Sequence, residues 1–406
     1  MSRVSDVVKA HWSRSTLRLW LGALLVFGAM LPETIVIPVV RKFVTAHWPG
    51  HEWLMHAFLA VNLLGAVVGG PLLAVRAERL GRRRVVAAVS AVLAGGFLLA
   101  VTLAPPWPLL LALRFVQGSV YIAAVSILMG TIRRQSQSAA AMGVVGCAVV
   151  LSILVGIPLG AVLSKTSPSL PLLVGGVSGV LTGLIALFVL PKTTDAQQSQ
   201  VTFKSLVFDA PQLRGPTIVV ALERFAVGAF IVPLQLYGHH VLGVPDSKVN
   251  GWFSAFLMIF ALGTWPMARL GDKVDRWKLV AIGAALYALS YLVLGVTPVN
   301  LIVVVCSIAG LASAAIYGPS LGLAAMAVPD TARASAMAVL NAAGTLGMFL
   351  GSALAGGLSS LLLSLGYERG PAYVAVFVAA GAVQIISVFV ALRRRGQAVA
   401  AVPAES

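Results

Sequence analysis

The chain has 406 residues, of which 59% are hydrophobic and only 10% charged, and its mean hydropathy is +0.95. A soluble domain of that size cannot keep so much apolar surface from water, so the composition points to segments of membrane-spanning length. The net charge of +16 does not argue for nucleic acid, because the 29 Lys and Arg residues sit mostly in short loops on one side; an anionic inner leaflet is the partner that fits them.

Residues 1–18 read as a basic, polar leader. The apolar run that follows is too long for a signal peptide and lacks a small-residue cleavage site, so it reads as a retained span. Twelve apolar segments are expected. The first six lie at roughly 19–40, 53–75, 85–104, 108–130, 139–162 and 170–190. The second six lie at roughly 217–238, 250–270, 279–298, 300–328, 336–365 and 372–392. The runs 300–328 and 336–365 exceed a bilayer thickness and must tilt or extend into water. Between the halves, residues 191–216 form the longest polar stretch. It reads as a cytoplasmic linker with a short amphipathic piece at Val201–Phe208, and span 7 is expected to start near Thr217. Residues 393–406 are a tail. Cys147 and Cys306 each fall inside an apolar run in different halves, which suits small buried hydrophobes better than a disulfide or metal site. No metal or cofactor motif and no catalytic constellation is visible, so an enzyme is not expected.

Orientation follows from counting. With both termini inside, the inner segments hold 22 Lys and Arg and the outer loops hold five: Arg41, Lys42, Lys165, Lys248 and Arg369. That imbalance is the positive-inside pattern. The most basic window is Arg76–Arg84, RAERLGRRR, a loop after span 2; Gly271–Lys278, GDKVDRWK, is a weaker echo after span 8. Glu78 and Asp275 align at an offset of 197 residues, close to half of 406, so the chain reads as two related halves.

These loops carry a family resemblance. The chain resembles the major facilitator superfamily, whose loop between spans 2 and 3 reads G-x-L-A-D-R-x-G-R-R. Here Ala77, Glu78, Arg79, Gly81, Arg82 and Arg83 match its second part, with glutamate for aspartate and Ala74 for the first glycine. The later copy keeps Gly271, Asp275 and Arg276. Span 4 carries Arg114, Gln117 and Gly118, similar to the family's R-x-x-Q-G. Span 5 carries Gly156, Pro158 and Gly160, which resembles the glycine–proline motif of the twelve-helix drug:proton antiporters, with the proline displaced by one residue and Ser152 where the first glycine would stand. The resemblance implies an all-α membrane protein, twelve transmembrane helices in two pseudo-symmetric six-helix bundles at 19–190 and 217–392, around a cavity lined by spans 1, 4, 7 and 10. It implies a secondary transporter working by alternating access, with proton-coupled export of small, partly apolar compounds as the leading reading. Solute uptake by a symporter or uniporter, and a receptor-like or lipid-handling protein, are the alternatives. The implied setting is the inner membrane, with a small-molecule substrate, protons and lipid as partners, no cofactor, no nucleic acid, and a monomer as the working unit.

Four charged residues fall inside spans: Glu33, Arg114, Glu223 and Arg224. Each costs about 2.5–3.5 kcal/mol at the bilayer centre and needs a partner or a role. Glu33 and Arg114 lie at similar depth, and a proton-coupling pair is the main hypothesis; a static ion pair is its alternative. Pro32 and Pro38 are expected to bend span 1 beside Glu33. Glu223 and Arg224 are neighbours about 100° apart on their helix, so one is expected to face the cavity and the other its neighbouring helices, and a structural pair is favoured over substrate contact. Gln117, Tyr121, Gln235, Tyr317 and Asn341 are further cavity candidates, as are Asn62 and Tyr237. Glu78, Arg79, Gly81, Arg82, Gly271, Asp275 and Arg276 are the expected cytoplasmic gate, with the acids near the helix N-termini that follow Arg134 and Arg333. Gly156, Pro158 and Gly160, with Gly344, Gly347 and Gly351, are expected at an interface between bundles, or in close packing within one.

Overall fold

The apolar runs become helices because only a helix satisfies every backbone group within one segment that crosses lipid. The computed structural model describes residues 2–51, 53–132, 139–190, 206 and 210–400, and all regular structure among them is helical. The helices of the first half are α1 (Ser2–Thr34), α2 (Val40–His47), α3 (Trp53–Arg79), α4 (Arg83–Val101), α5 (Trp107–Ile132), α6 (Ala139–Leu163) and α7 (Leu170–Val189). Those of the second half are α8 (Pro211–His240), α9 (Asp246–Leu270), α10 (Arg276–Leu294), α11 (Ile302–Met326), α12 (Arg333–Ser364) and α13 (Arg369–Ala400). They supply twelve helical segments long and apolar enough to cross a membrane, the first made of α1 and α2 together. Arg133, Arg134 and the expected amphipathic piece Val201–Phe208, apart from Leu206, lie outside the described residues.

The chain divides into two compact units. One holds Met1–Asp209 with Val328–Ala342; the other holds Ala210–Ala327 with Ala343–Ser406. Within each, the same order of packing recurs. In the first, α3 lies on α5 and α4 on α7; in the second, α9 lies on α11 and α10 on α13.

Span 1 differs from the bent helix read from its sequence. It breaks outright: α1 ends at Thr34, a 3-10 turn occupies Ile37–Val39, and α2 continues the span to His47. Pro38 has no N–H to give to the Thr34 carbonyl, and its ring would meet that carbonyl in a continuous helix. The chain closes the break with Ile35 N–H on Leu31 O (3.0 Å) and Val39 N–H on Val36 O (3.0 Å). Ile35, Val39, Phe43, Leu54, Phe58, Leu98 and Leu110 bury it in one apolar cluster. Glu33 therefore sits in the last turn of α1, at the break. Span 7 also starts earlier than Thr217: Pro211 occupies the first turn of α8, where a missing N–H costs nothing, and Pro216 lies one turn in.

The span 5 and span 11 glycines serve close packing within a unit, the second of the two readings their spacing allowed. A Cβ on Gly156 would collide with Thr34 Oγ1, and one on Gly160 with the Ile35 carbonyl. A Cβ on Gly347 or Gly351 would collide with the carbonyls of Ala221 or Phe225 on α8. Pro158 points away, on the exposed side of α6. The Thr34 hydroxyl, donating to Ser152 O at 2.8 Å, ties the same seam. Gly160→Ala is expected to lose about 1–3 kcal/mol, because the colliding atom is backbone and cannot rotate away. Gly96→Ala, whose Cβ would meet nothing within 4 Å, is expected to gain up to about 1 kcal/mol of helix propensity. Opposite shifts of the unfolding midpoint of the detergent-purified protein would bear this out; equal shifts would refute it.

Candidate functional site

Three clusters of buried polar groups stand out, two built on the first span of a unit. In the first unit, the break in span 1 presents Glu33 to α3 and α5. Arg114 is fully buried on α5 and its Nη2 lies 2.9 Å from Glu33 Oε1. Gln117, one turn along α5, donates from Nε2 to Glu33 Oε2 at 3.2 Å and accepts from Arg114 Nη1. Asn62 on α3, with its amide oxygen toward the Gly118 N–H (3.2 Å), donates to Glu33 Oε1 at 2.8 Å. Arg114 Nε reaches Phe58 O at 3.3 Å, and its guanidinium lies over the Phe58 ring, 4.3 Å from the centroid. Glu33 thus has three side-chain donors and is the one partly open member, its side chain 13% exposed. Tyr121, one turn beyond Gln117, donates to Met30 Sδ at 3.2 Å, and Asn341 donates to Ser126 Oγ at 3.0 Å.

The second unit has a related cluster on α8. Glu223 and Arg224 pair with each other, Nε to Oε2 at 3.4 Å, and both are buried. They form a structural pair, and only the expectation that the two would face different ways is corrected: adjacent side chains leave the helix apart, but the arginine stem is long enough to turn back. Ser313 on α11 donates to Glu223 Oε1 at 2.5 Å. The Arg224 guanidinium is flanked by Tyr317 (4.4 Å) and Phe260 (5.2 Å). Gln235 is exposed on α8, away from this cluster, and Tyr237 instead reaches Gly295 O at 3.1 Å.

The third cluster is the basic loop. Gly81, at φ +62°, ends α3 in a Schellman turn: its N–H bonds Glu78 O (3.2 Å) and the Arg82 N–H bonds Ala77 O (3.2 Å). That turn aims Glu78 at the N-terminus of α12. There its carboxylate accepts from Ala334 N–H (2.8 Å), Ser335 N–H (3.2 Å) and the Ser335 hydroxyl, and pairs with Arg83 at 3.1 Å. An anion is at home on those free N–H groups. Arg83 also donates to Thr331 O at 2.5 Å. Arg79 and Arg82 are exposed.

Asp275, the aligned residue, is placed differently. Gly271 keeps a right-handed backbone, φ −62°, so no Schellman turn forms at the end of α9. Asp275 caps its own helix, α10, through Trp277 N–H (2.9 Å) and Lys278 N–H (3.2 Å), and pairs with Arg395 at 2.8 Å. Arg276 pairs with Asp272 at 2.9 Å. Partial burial works against the Asp275 charge, but the Lys278 and Trp277 N–H groups and Arg395 outweigh it and hold the carboxyl below the usual aspartate range. Sequence reasoning left Arg83, Ser335 and Ser313 out of the site. Arg83 alone was detectable, as one of the matched arginines after the loop glycine; the two serines carry no spacing signal.

The sequence profile described as "Major Facilitator Superfamily" matches residues 22–260 and 216–406. A curated relative, "Uncharacterized MFS-type transporter YcaD" of Escherichia fergusonii, is 26% identical over 278 residues, 64% of this chain and 69% of the relative. Among solved structures, the human organic anion transporter MFSD10 (TETRAN) superposes with a TM-score of 0.74 at 14% identity, covering 93% of this chain and 99% of that one. The proton:xylose symporter XylE does so at 0.71 and 15%, covering 92% and 95%. A bacterial homologue of the iron transporter ferroportin does so at 0.72 and 12%, covering 93% and 98%.

Proposed function

The chain belongs to the major facilitator superfamily, a family of multi-pass membrane transporters rather than enzymes, and from that premise we propose that it exports small, partly apolar compounds in exchange for protons by alternating access. The observation that supports this reading is the Glu33 cluster. A carboxylate at a helix break inside a span, held by Arg114, Gln117 and Asn62 yet partly open, is a charge that lipid tolerates only with partners or a purpose. In this reading Glu33 stays ionised while Arg114 holds it. It takes a proton when the pair separates, and the proton and the substrate occupy the site in turn. Within the second unit, the Arg224 guanidinium, flanked by Tyr317 and Phe260, and separately the exposed amide of Gln235 offer polar contacts to a mostly apolar substrate; within the first unit, the Tyr121 hydroxyl and the Asn341 amide do so. The Glu78 cluster braces the cytoplasmic gate. The protein works as a monomer in the inner membrane with both termini in the cytoplasm; its partners are substrate, protons and lipid, and nucleic acid has no part.

The test is efflux of a fluorescent cation, ethidium, from cells lacking their own pumps. Wild type is expected to lower cell fluorescence, and a protonophore to abolish that. Glu33→Gln is expected to fall to the level of cells without the protein. Proton-dependent efflux that survives Glu33→Gln would overturn the role of Glu33. One observation favours uptake by a symporter or uniporter as the second reading: Ser152 stands where the antiporter pattern has glycine, and its carbonyl is tied to Thr34. Wild-type cells that accumulate rather than lose solutes would select it.

A further inference from the structure

Among the described residues, the buried side-chain atoms without a hydrogen-bond partner are Glu223 Oε2, Arg276 Nε, Ser320 Oγ, Gln384 Oε1 and Ser387 Oγ, and all of them belong to the second unit. Only Glu223 is an acid. Its contrast with Glu33 is physical: Glu33 is partly open and has three side-chain donors, whereas Glu223 is fully buried, with one full hydrogen bond, from Ser313. Arg224 Nε stands 3.4 Å from Oε2 without making a hydrogen bond to it, and its guanidinium is shared with the Tyr317 and Phe260 rings. A buried carboxylate needs either a full set of donors or a proton.

We infer that Glu223 is a second proton-binding site, separate from the Glu33 cluster, at which a proton on Oε2 and the Arg224 guanidinium are alternative partners of one carboxylate. The proton is delivered by hydronium when the site opens to water: one hydronium O–H bond breaks, the Oε2–H bond forms, and a neutral water molecule leaves. The carboxylate becomes neutral, and Arg224 keeps its charge against the faces of Tyr317 and Phe260, where a cation is held by the rings. Ser313 stays on Oε1 throughout. The remaining groups that face the site leave this exchange to the Glu223–Arg224 pair. From α10, the Tyr287 and Tyr291 hydroxyls bond each other at 3.1 Å, and Tyr291 is anchored on Ala226 O at 3.0 Å. From α11 come Tyr317 and the buried thiol of Cys306. From α12, Gly344 lies 3.2 Å from the Arg224 stem where a Cβ would be, and from α13, Gln384 donates to Leu222 O. Each unit then carries one acid on its first span that exchanges a cationic partner for a proton. The use of that second proton in transport rests on the proposed reading; its binding does not.

The test is infrared difference spectroscopy of the full-length protein in lipid, titrated with pH in a Glu33→Gln background. A carboxylic-acid C=O band is expected to appear on acidification and to be lost in the Glu33→Gln/Glu223→Gln double variant. Identical spectra with and without Glu223 would overturn the site and leave a static ion pair. Ser313→Ala retains the carboxylate and removes its hydrogen bond, so the band is expected to shift in that variant; an unmoved band would refute the assignment even if Glu223→Gln failed to fold. A band that behaves as expected, in a protein whose efflux ignores protons, would retain this site and reject the export reading.

Discussion

Arg114→Ala is expected to cost about 3–5 kcal/mol of stability, more than any loss expected from an exposed charge. The guanidinium is fully buried and serves three acceptors at once: Glu33 Oε1, Gln117 Oε1 and Phe58 O. Without it, a charge on Glu33 is stranded in a low-dielectric site with only Asn62 and Gln117 to meet it, unless a proton neutralises it. Gln117 loses the donor to its own carbonyl oxygen. Lysine does not repair this, because one ammonium cannot reproduce a planar fork aimed at three acceptors over a ring. Adding Glu33→Gln to Arg114→Ala removes the stranded charge, so the double variant is expected to be more stable than Arg114→Ala alone. Unfolding midpoints of the four proteins form a double-mutant cycle. Arg114→Ala at wild-type stability, or simple additivity in the cycle, would show that the pair contributes nothing.

The parts of this arrangement that were legible in the sequence are those that repeat or that lipid penalises. Twelve spans follow from apolar runs, because backbone in lipid has few other solutions. Glu33 and Arg114 were conspicuous because charge inside a span demands a partner, and their matching depth could be counted from the helix ends. The break in span 1 was only half legible. Pro38 announced a disturbance, but whether a helix bends or stops depends on what packs into the gap, and Gly156 and Gly160 on α6 decide that from more than a hundred residues away. Asn62 and Ser313 were less legible still, since a single amide or hydroxyl on an apolar helix has no period and its partner is set by helix rotation. Alignment of Glu78 with Asp275 was the misleading case. The two acids share an offset, yet Glu78 lies in the last turn of α3, just before the left-handed Gly81, whereas Asp275 lies beyond the end of α9, four residues after the right-handed Gly271, so they reach different helix ends.

That difference sets the second large effect. Glu78→Ala is expected to cost about 3–5 kcal/mol, because it strands the buried Arg83 charge and leaves the Ala334 and Ser335 N–H groups without their acceptor. Glutamine is expected to recover only part of this. Its amide offers one acceptor oxygen, and its NH2 would face donors on the other side. Removing Arg83 together with Glu78 is expected to recover part of the loss, since the stranded charge goes while the helix end stays bare. Asp275→Ala is expected to cost only about 0.5–2 kcal/mol, the ordinary range for a lost helix cap, since Asp275 is exposed and water can replace it. Hydrogen exchange separates the two acids without relying on total stability. In Glu78→Ala, amides at the start of α12 are expected to exchange faster than in wild type while those at the start of α10 do not change, and Asp275→Ala is expected to do the reverse. Equal, global acceleration by both variants would mean that the two acids are interchangeable loop charges, and the distinction drawn from Gly81 would fall.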